Sequence, residues 1–354
     1  MSESDPGKVT VIVPARNEEA NIERVLRSLA DQPGVREILV VDDNSIDRTA
    51  EIAQALKAEI STLRILRVDN LPEGWLGKTY AVSLGARQAA GDWLLFTDAD
   101  TEHLPGSLEA TLQMAERQGA DLLSLSPGQI TSTWWERAVI PRIFVNLARL
   151  YRFEDVSDPA SPAAAANGQY LLIRRAVYER AGGHEAIRSA VLEDVELAKR
   201  VKAAGGKLIF LPGAKWVQTR MYRTFGEMWR GWTKNLFLLY GQSLPKIFGT
   251  VVELCLLDLL PPLLLLGLAI GLIAGEERSR VVTGLIIGSL LIMVVRGALY
   301  LRAAALLGFR PSSMGRKSIG ALIFCALLIN SVIAYRVSHN VEWKGRRYST
   351  RGQR

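Results

Sequence analysis

The sequence is poor in cysteine and histidine and lacks the short motifs of several enzyme classes. Its 354 residues include two cysteines and three histidines, and neither Cys255 nor Cys325 has a partner at the spacing of a metal site. This excludes a disulfide framework and a zinc site. No Walker-type Gly-rich loop and no Gly-x-Ser-x-Gly segment occurs, so nucleoside-triphosphate and acyl-transfer chemistry have no support. Residues 1–8 lack the apolar core of a secretory signal, so we expect the leading domain to stay in the cytosol.

Acidic residues are scarce in the last part of the chain. From Arg302 to Arg354 there are ten Lys or Arg and one acid, Glu342, whereas the formal charge of the whole chain is only +7. The first 301 residues therefore carry a net charge of −2. A nearly neutral domain followed by a basic segment suits anionic lipid headgroups better than DNA or RNA. We therefore expect a membrane surface, and no nucleic acid, among the partners.

Long apolar runs are confined to the region after residue 246. Three follow one another, residues 247–274, 281–301 and 319–337, and each has about the 20 residues that cross 30 Å of hydrocarbon. Three such runs would overfill one soluble core, so they predict a multi-pass membrane region. Glu253, Asp258 and Arg296 would be costly against lipid, so we expect them to face protein. Pro261-Pro262 should break or kink the first run.

The charges beside these runs favour a cytosolic C-terminus. Three full spans after a cytosolic domain would put the C-terminus outside. Yet the loop that contains Arg302, Arg310, Arg316 and Lys317 is basic, and so is the tail after Val337. The positive-inside rule keeps both segments in the cytosol. Both are inside when residues 319–337 re-enter rather than cross, and this is the topology that we predict.

The first 125 residues alternate short β-branched runs with helical patterns. The predicted strands are residues 9–13, 37–41, 63–68, 93–97 and 122–125. Such alternation implies a sheet of mainly parallel strands, whose ligands lie beyond the carboxyl ends of the strands. Polar residues cluster at these ends, in residues 14–18, 42–45 and 98–100. The region from Thr131 to Tyr240 is less regular in its pattern.

Two acidic motifs occupy places that suit catalysis. Asp98-Ala99-Asp100 follows an apolar run, and carboxylates at an exposed strand end suit a hard divalent cation. Alone this pattern is weak, because a solvated turn explains most instances. Glu193-Asp194 opens a predicted helix, where the macrodipole favours a carboxylate that could serve as a general base. A simple helix cap is the alternative.

Four motifs in order resemble the family 2 glycosyltransferases of the GT-A fold. They are Val13-Pro14-Ala15-Arg16-Asn17-Glu18, Val41-Asp42-Asp43-Asn44-Ser45, Asp98-Ala99-Asp100 and Glu193-Asp194. The resemblance covers about residues 9–241. It is closest to the membrane-bound enzymes that glycosylate carotenoids, hopanoids and ceramide. The segments that carry this closer likeness are Leu71-Pro72-Glu73-Gly74-Trp75-Leu76-Gly77-Lys78, Asn167-Gly168-Gln169-Tyr170, Gly182-Gly183-His184 and Gly231-Trp232-Thr233-Lys234-Asn235.

The resemblance implies a role for each matching residue. Pro14, Ala15 and Glu18 would line the uridine and ribose pocket, and Asp43 would bind the uracil. Asp98 and Asp100 would face the sugar and a diphosphate bound to Mg²⁺ or Mn²⁺. Asp194, beside Glu193, would be the general base. Lys78 would contact a phosphate of the donor, with a free surface lysine as the alternative. The residues expected at the acceptor are Gly168, His184, Arg230 and Trp232.

The aromatic and cationic residues of the segment 225–240 are typical of a helix in the membrane interface, with an ordinary surface helix as the alternative. Processive synthases of the family carry Gln-x-x-Arg-Trp on this helix. Here the matching residues read Glu227-Met228-Trp229-Arg230-Gly231-Trp232, without the Gln and with a Gly between Arg and Trp. This departure favours the transfer of a single sugar over chain elongation.

Together these features predict an α/β catalytic domain of the GT-A type with a Rossmann-like parallel or mixed sheet. Its expected extent is residues 1–222, followed by an interfacial helix (223–246), a transmembrane region (247–338) and a basic tail (339–354). We expect an inverting enzyme of the cell (inner) membrane, with a cytoplasmic catalytic domain, that moves a hexose from a UDP-sugar to a lipid such as a carotenoid or hopanoid. The alternatives are a polyprenyl-phosphate glycosyl synthase and a non-catalytic membrane scaffold. No protein partner is predicted.

Overall fold

The chain folds into two units. The computed structural model describes residues 8–274, 279–343 and 346–349. The first unit comprises the residues up to Ile130 together with Tyr151–Met221, and the second comprises Thr131–Leu150 and the residues from Tyr222 onward. The expectations for residues 1–7 and for Lys344, Arg351 and Arg354 of the tail lie outside the described residues.

The elements follow one another in this order. The strands are β1 (Val9–Ala15), β2 (Val35–Asp42), β3 (Leu63–Arg67), β4 (Trp93–Phe96), β5 (Thr101–His103), β6 (Leu122–Ser126), β7 (Gly128–Gln129), β8 (Leu171–Arg174), β9 (Leu208–Pro212), β10 (Val217–Thr219), β11 (Asn340–Trp343) and β12 (Arg346–Ser349). The helices are α1 (Ile22–Ala30), α2 (Thr49–Leu56), α3 (Gly77–Gln88), α4 (Ser107–Arg117), α5 (Trp134–Leu150), α6 (Phe153–Ser157), α7 (Arg175–Arg180), α8 (Glu193–Ala203), α9 (Phe225–Leu239), α10 (Leu244–Leu254), α11 (Leu260–Ile273), α12 (Arg280–Leu306) and α13 (Lys317–Ile333).

A seven-stranded sheet forms the core of the first unit, in the order β3-β2-β1-β4-β8-β6-β9. Strand β1 pairs in parallel with β2 and β4, whereas β8 runs antiparallel between β4 and β6. Val11 and Ile12 follow each other on β1 and point to opposite faces, and both are fully buried, as expected for a sheet with both faces covered. The predicted α/β class with a mixed sheet is therefore confirmed.

The register of the parallel strands brings their polar ends to one edge of the sheet. Ala15 of β1 pairs with Asp42 of β2, which pairs in turn with Arg67 of β3. Strand β4 ends at Phe96, opposite Ile12 of β1. The turn after β4 leads into a small second sheet, β5-β10-β7, which anchors it. The loops after β1, β2 and β4 therefore share this edge.

Two features of the second unit differ from the expectations. A 17-residue helix, α5, lies in the region that the pattern predicted to be irregular. Pro261-Pro262, which we expected to break or kink the first run, do not break it: helical structure continues from Leu244 to Ile273, with a π-helical turn at Cys255–Leu259 just before the two prolines. The Ser318 hydroxyl donates to the carbonyl of Asp258 (2.9 Å), which Pro262 leaves without its usual helical N–H partner.

Three helices of the second unit are long and apolar enough to cross a membrane. They are Leu244–Ile273, Arg280–Leu306 and Lys317–Ser338, with mean hydropathies of 2.3, 2.1 and 2.1. They correspond to the three apolar runs in the sequence. Each exceeds the length of about 20 residues that a span requires.

Candidate active site

Two asparagines shape the loops that follow β1 and β2. Asn17 and Asn44 have φ angles of 54° and 53°, in the left-handed region that asparagine tolerates better than most residues. The Asn17 N–H donates to the Ser45 hydroxyl, and the Ile46 N–H donates to the Asn17 side-chain oxygen, each at 3.0 Å. These bonds hold the two loops together. Neither asparagine was assigned a role from the sequence, although an Asn just beyond a strand end is itself a turn signal.

The residues expected at the nucleotide lie along these loops. Asp43 is buried, its N–H donates to the carbonyl of Ala15 (2.8 Å), and its carboxylate lies 3.8 Å from the guanidinium of Arg16. Pro14 and Ala15 end β1. The Glu18 N–H donates to the Thr49 hydroxyl (2.7 Å). The structure thus brings Pro14, Ala15, Glu18 and Asp43 together at the sheet edge.

The Asp98–Asp100 turn is fixed by its backbone. The Thr101 hydroxyl donates to the carbonyl of Asp98 at 2.7 Å. The carbonyl of Asp100 accepts from the Thr219 hydroxyl and from the Arg24 guanidinium, both at 3.2 Å. These hydrogen bonds fix the main chain of the turn. The side chains of Asp98 and Asp100 are therefore held just beyond the carboxyl end of β4.

One lysine joins this turn to the start of α8. The Nζ atom of Lys78 lies 2.7 Å from Asp98 Oδ1 and 2.8 Å from Glu193 Oε1. The neighbouring Asp194 accepts from the N–H groups of Gly168 and Val195, each at 2.8 Å. We call Lys78, Asp98, Glu193 and Asp194 the lysine–carboxylate cluster. It gathers residues of α3, of the turn after β4 and of α8, so three of the predicted motifs meet in it.

Charge in this cluster is unbalanced, with three carboxylates around one ammonium. Burial raises the pKa of Asp194 to about 6; Glu193 adds to the rise, and Lys78 and the two N–H donors oppose it. Burial alone would lower the pKa of Lys78, but Asp98, Glu193 and Asp194 together raise it well above its usual value. Lys78 therefore stays protonated at neutral pH, while Asp194 is ionised there and titrates near pH 6. That is the range in which a carboxylate serves well as a general base.

Gly168 is the residue that leaves room for this cluster. A Cβ atom at this position would lie 3.2 Å from Lys78 Nζ and 3.6 Å from the nearest carboxylate oxygens of Asp194 and Glu193. A side chain here would therefore crowd the ammonium. The next residue, Gln169, is tied to the end of β4, because its carbonyl accepts from the Thr97 hydroxyl at 2.8 Å.

Both histidines of the first unit are buried and neutral. Burial lowers the pKa of His103 and of His184 to about 3, and in His184 the charge of Lys78 contributes. His184 Nδ1 lies 2.9 Å from the Tyr178 hydroxyl, and its ring packs edge-on against Phe96. His103 Nε2 lies 3.0 Å from the Thr97 hydroxyl. Each therefore has a hydrogen-bonding role inside the fold.

The other two residues expected at the acceptor belong to the second unit. Arg230 and Trp232 lie on α9. Trp232 is buried, with its ring edge-on to Phe144 of α5 at 5.7 Å between centroids, whereas Arg230 is exposed. Gly231 between them packs against the ring of Tyr222, which leaves no space for a side chain.

The carboxylates of the Asp98–Asp100 turn fit a divalent cation that is shared with a substrate. Within residues 8–274, 279–343 and 346–349, no group of three or more His, Cys, Asp or Glu is placed to hold a metal by itself. Mg²⁺ at a diphosphate commonly takes one or two carboxylates and completes its shell with phosphate oxygens and water. Asp98 and Asp100 would be the protein's share of such a site.

Comparisons with known proteins identify the family of the chain. Residues 10–182 match the model of glycosyl transferase family 2. A 4,4'-diaponeurosporenoate glycosyltransferase of Staphylococcus haemolyticus is 31% identical over 247 residues, which cover 69% of this chain and 65% of that protein. The chain thus spans just under two thirds of that relative's length. The protein of the same name from Staphylococcus aureus strain USA300 is 27% identical over 353 residues, covering 96% of this chain and 88% of the relative.

A solved structure shares the fold. The mannosyltransferase PcManGT from Pyrobaculum calidifontis, in complex with GDP-Man and Mn²⁺, superposes with a TM-score of 0.55 at 20% sequence identity. The superposition covers 94% of this chain and 87% of that one.

Proposed function

Because the chain belongs to the family 2 glycosyltransferases, we propose that it transfers one sugar from a nucleoside diphosphate sugar to a carotenoid-type lipid. The observation that carries the proposal is the lysine–carboxylate cluster. It contains a carboxylate, Asp194, that is oriented by two N–H donors and has a pKa of about 6. The name of the relatives supports a carotenoid-type acceptor.

The donor in this proposal is a UDP-hexose that binds at the edge formed by the loops after β1, β2 and β4. Pro14, Ala15 and Glu18 line the nucleoside pocket, and the buried carboxylate of Asp43 accepts from the imide N–H of uracil. Asp98 and Asp100 would hold Mg²⁺ or Mn²⁺, which neutralises charge on the diphosphate leaving group when bound. The ammonium of Lys78 adds a fixed positive charge beside Asp98.

Asp194 acts on the acceptor. As the acceptor oxygen bonds to the anomeric carbon, the bond from that carbon to the diphosphate oxygen breaks and the hydroxyl proton passes to Asp194. Attack opposite the leaving group inverts the anomeric configuration. Gly168 keeps the space beside the base open. Acceptor contacts by Arg230 and Trp232 stay predictions.

A hydroxyl acceptor and a carboxylate acceptor differ in whether they need Asp194 as a base. A hydroxyl must lose its proton, which Asp194 can accept. A carotenoate, the kind of acceptor in the relatives' name, is already ionised at neutral pH and needs no base. We therefore expect Asp194→Asn to reduce transfer to a hydroxyl far more than transfer to a carboxylate.

In this proposal the protein lies in the cell (inner) membrane with the first unit in the cytoplasm, and the apolar helices support the association with a membrane. Leu263 and Ile270 of α11 and Val281 of α12 are 63%, 60% and 71% exposed. Exposed apolar side chains along two neighbouring helices form a surface that water would disfavour and lipid would cover.

The experiment that tests this function measures UDP release and lipid products in membranes that contain the protein. UDP-glucose, UDP-N-acetylglucosamine and GDP-mannose are each offered with a carotenoid alcohol, a carotenoid carboxylic acid or a polyprenyl phosphate. We expect a glycosylated carotenoid product from a UDP-sugar. The anomeric proton coupling of that product should show inversion. Transfer to the polyprenyl phosphate alone, or no release of nucleotide with any pair, would contradict the proposal.

The metal is tested in the same assay. Chelation and Asp100→Ala should both abolish transfer, because the leaving diphosphate then develops its charge without a counter-ion, an effect of several kcal/mol. Re-addition of Mg²⁺ or Mn²⁺ should restore transfer activity to the chelated wild-type protein but not to Asp100→Ala. Full activity in chelator would exclude the metal assignment.

A further inference from the structure

The third apolar helix of the second unit packs differently from the first two. In its most apolar 18-residue window 50% of the residues are buried, against 11% in each of the other two. Building on the membrane location proposed above, we infer that the chain crosses the bilayer only twice, through Leu244–Ile273 and α12. Helix α13 lies along the interface on the side of the first unit, so the C-terminus is on that side as well.

The side on which α5 and α9 lie follows from the course of the chain. The chain enters α5 after Ile130 and leaves it at Tyr151, and both residues belong to the first unit. Helix α9 starts four residues after Met221 of the first unit and ends just before Ser243, the cap of the first span. Both ends of α5 are thus on the catalytic side, and α9, with 15 residues, is about 22 Å long and too short to cross about 30 Å of hydrocarbon. A straight helix with both ends on one side of a bilayer does not cross it.

The first half of α13 packs on α5. Arg142 of α5 donates to the carbonyl of Lys317 at 3.0 Å. Gly320 lies against the backbone of Ala138 so closely that a side-chain carbon would overlap it. This contact requires a glycine in α13 and places the start of α13 beside a helix of the catalytic side.

The second half of α13 is hydrogen-bonded to α9. The Asn330 amide donates to the Thr233 hydroxyl (2.8 Å), and the Ser331 hydroxyl donates to the Thr233 carbonyl (2.6 Å). The Tyr335 hydroxyl donates to the carbonyl of Lys234 at 2.7 Å. From Lys317 to Tyr335 the helix measures about 27 Å. Nearly its whole length is therefore held by helices that stay on one side.

Charged side chains join the start of α13 to α5 and to both spans. Arg296 of α12 lies 2.6 Å from Asp258 and 2.7 Å from Glu253, and Arg142 and Lys317 lie 3.5 and 3.8 Å from Asp258. We call these five residues the buried ion-pair cluster. Lys317, the first residue of α13, thus lies beside Arg142 of α5, a helix whose two ends are on the catalytic side.

The remaining surface of α13 fits one leaflet of a bilayer. Its exposed apolar side chains, spaced to form one stripe, are Ile319, Leu322, Ile329, Ile333 and Val337. Strand β11, which follows, lies next to α9. The basic loop before α13 and the basic tail after it then share the cytoplasmic side, as the positive-inside rule requires.

Cysteine accessibility tests this topology in the full-length protein. In a background that carries Cys255→Ala and Cys325→Ala, single cysteines are introduced as Ala274→Cys, Ser312→Cys and Ser349→Cys. Ser61→Cys, in an exposed turn of the first unit, marks the catalytic side. Spheroplasts are treated with a membrane-impermeant maleimide before and after permeabilisation. We expect Ala274→Cys to react in intact spheroplasts and the other three to react only after permeabilisation.

Two results would overturn the inference. Labelling of Ser349→Cys in intact spheroplasts, with Ser312→Cys protected, would mean that α13 crosses. Protection of Ala274→Cys together with the other three would mean that the first two helices do not cross. The labelling does not depend on transfer activity. A protein with the expected pattern and no glycosyl transfer would therefore contradict the proposed function and leave the topology supported.

Discussion

Each unit holds a group of paired ionic side chains, and the two groups differ in excess charge and in exposure. In the lysine–carboxylate cluster of the first unit, three carboxylates share one ammonium, and the side chain of Lys78 is 36% exposed. In the buried ion-pair cluster of the second unit, three cations surround Asp258, whose side chain is 1% exposed. Glu253, which is 28% exposed, pairs with Arg296 and also with Arg149 outside the cluster. The first group is negative and reached by solvent at Lys78, and the second is positive and closed around Asp258.

This difference shows what each group does. An accessible cluster with unbalanced negative charge can receive a cation, a proton or a sugar, so its residues serve binding and chemistry. Ions enclosed among apolar helices have no water to replace a lost partner. Their removal destabilises the fold, even though such a pair adds little stability compared with apolar residues of the same size. Mutations in the first cluster should therefore change rates, and mutations in the second should change folding.

The largest effect is expected for Asp194→Asn. The amide keeps the size of the side chain but cannot take the acceptor proton, so turnover with a hydroxyl acceptor should fall by about 10²–10⁴-fold. Donor affinity and thermal stability should stay near those of the wild type. Glu196→Gln, on the same helix and with a side chain that is 43% exposed, is the matched control and should keep its turnover. Lost donor affinity with normal turnover at saturation would instead place Asp194 in the nucleotide pocket.

In the second cluster, Asp258→Asn should leave catalysis intact in the folded fraction and weaken the fold. Arg142, Arg296 and Lys317 lose their shared carboxylate in an apolar setting, which typically costs about 3–5 kcal/mol. Thermal unfolding in detergent measures the effect. Glu154→Gln, whose side chain is 74% exposed, should change stability by less than about 1 kcal/mol. Equal stability of the two variants would show that the buried cluster is not required for folding.

The third prediction concerns pH. Because Asp194 must be ionised to accept a proton, kcat/KM with a hydroxyl acceptor should fall below a pKa of about 6 and level off above it. Lys78 lowers the pKa of Asp194. In Lys78→Met the pH below which kcat/KM falls should therefore rise by about 1–3 units. Lys78→Arg keeps the charge and should largely retain the wild-type profile. An unchanged pH profile in Lys78→Met would show that Lys78 does not influence the pKa of Asp194.

The smallest effect is expected for Gly168→Ala. Its Cβ would lie 3.2 Å from Lys78 Nζ, and the flexible end of the lysine can yield by a few tenths of an ångström. We expect a fall in turnover of up to about tenfold, since misplacing a catalytic group even slightly reduces the rate. Stability should be unchanged. Gly249→Ala, where a Cβ meets nothing within 4 Å, is the control. A tenfold loss in both variants would rule out a local effect at the cluster.

The sequence by itself determined the features that depend on local pattern. Alternating strand and helix periods predicted the α/β class, and residues beyond the strand ends predicted that Ala15, Asp43 and Asp98 share one edge. Three apolar runs predicted three long helices. These predictions hold because side-chain periodicity and strand direction are properties of short segments.

Only the tertiary structure decided the rest, because it depends on residues far apart in the chain. Helix α5 is buried over nearly all of residues 138–146, so it has no polar face to reveal its period. Lys78 and Glu193 are 115 positions apart, and only the fold makes them partners and gives Asp194 its raised pKa. The charges beside α13 already predicted that it does not cross, and the tertiary structure adds the hydrogen bonds to α9 that hold it on one side in our proposal. Likewise, Pro261-Pro262 is tolerated because Ser318, from another helix, satisfies the carbonyl of Asp258. Burial and long-range pairing set these outcomes, and neither is encoded in a short segment.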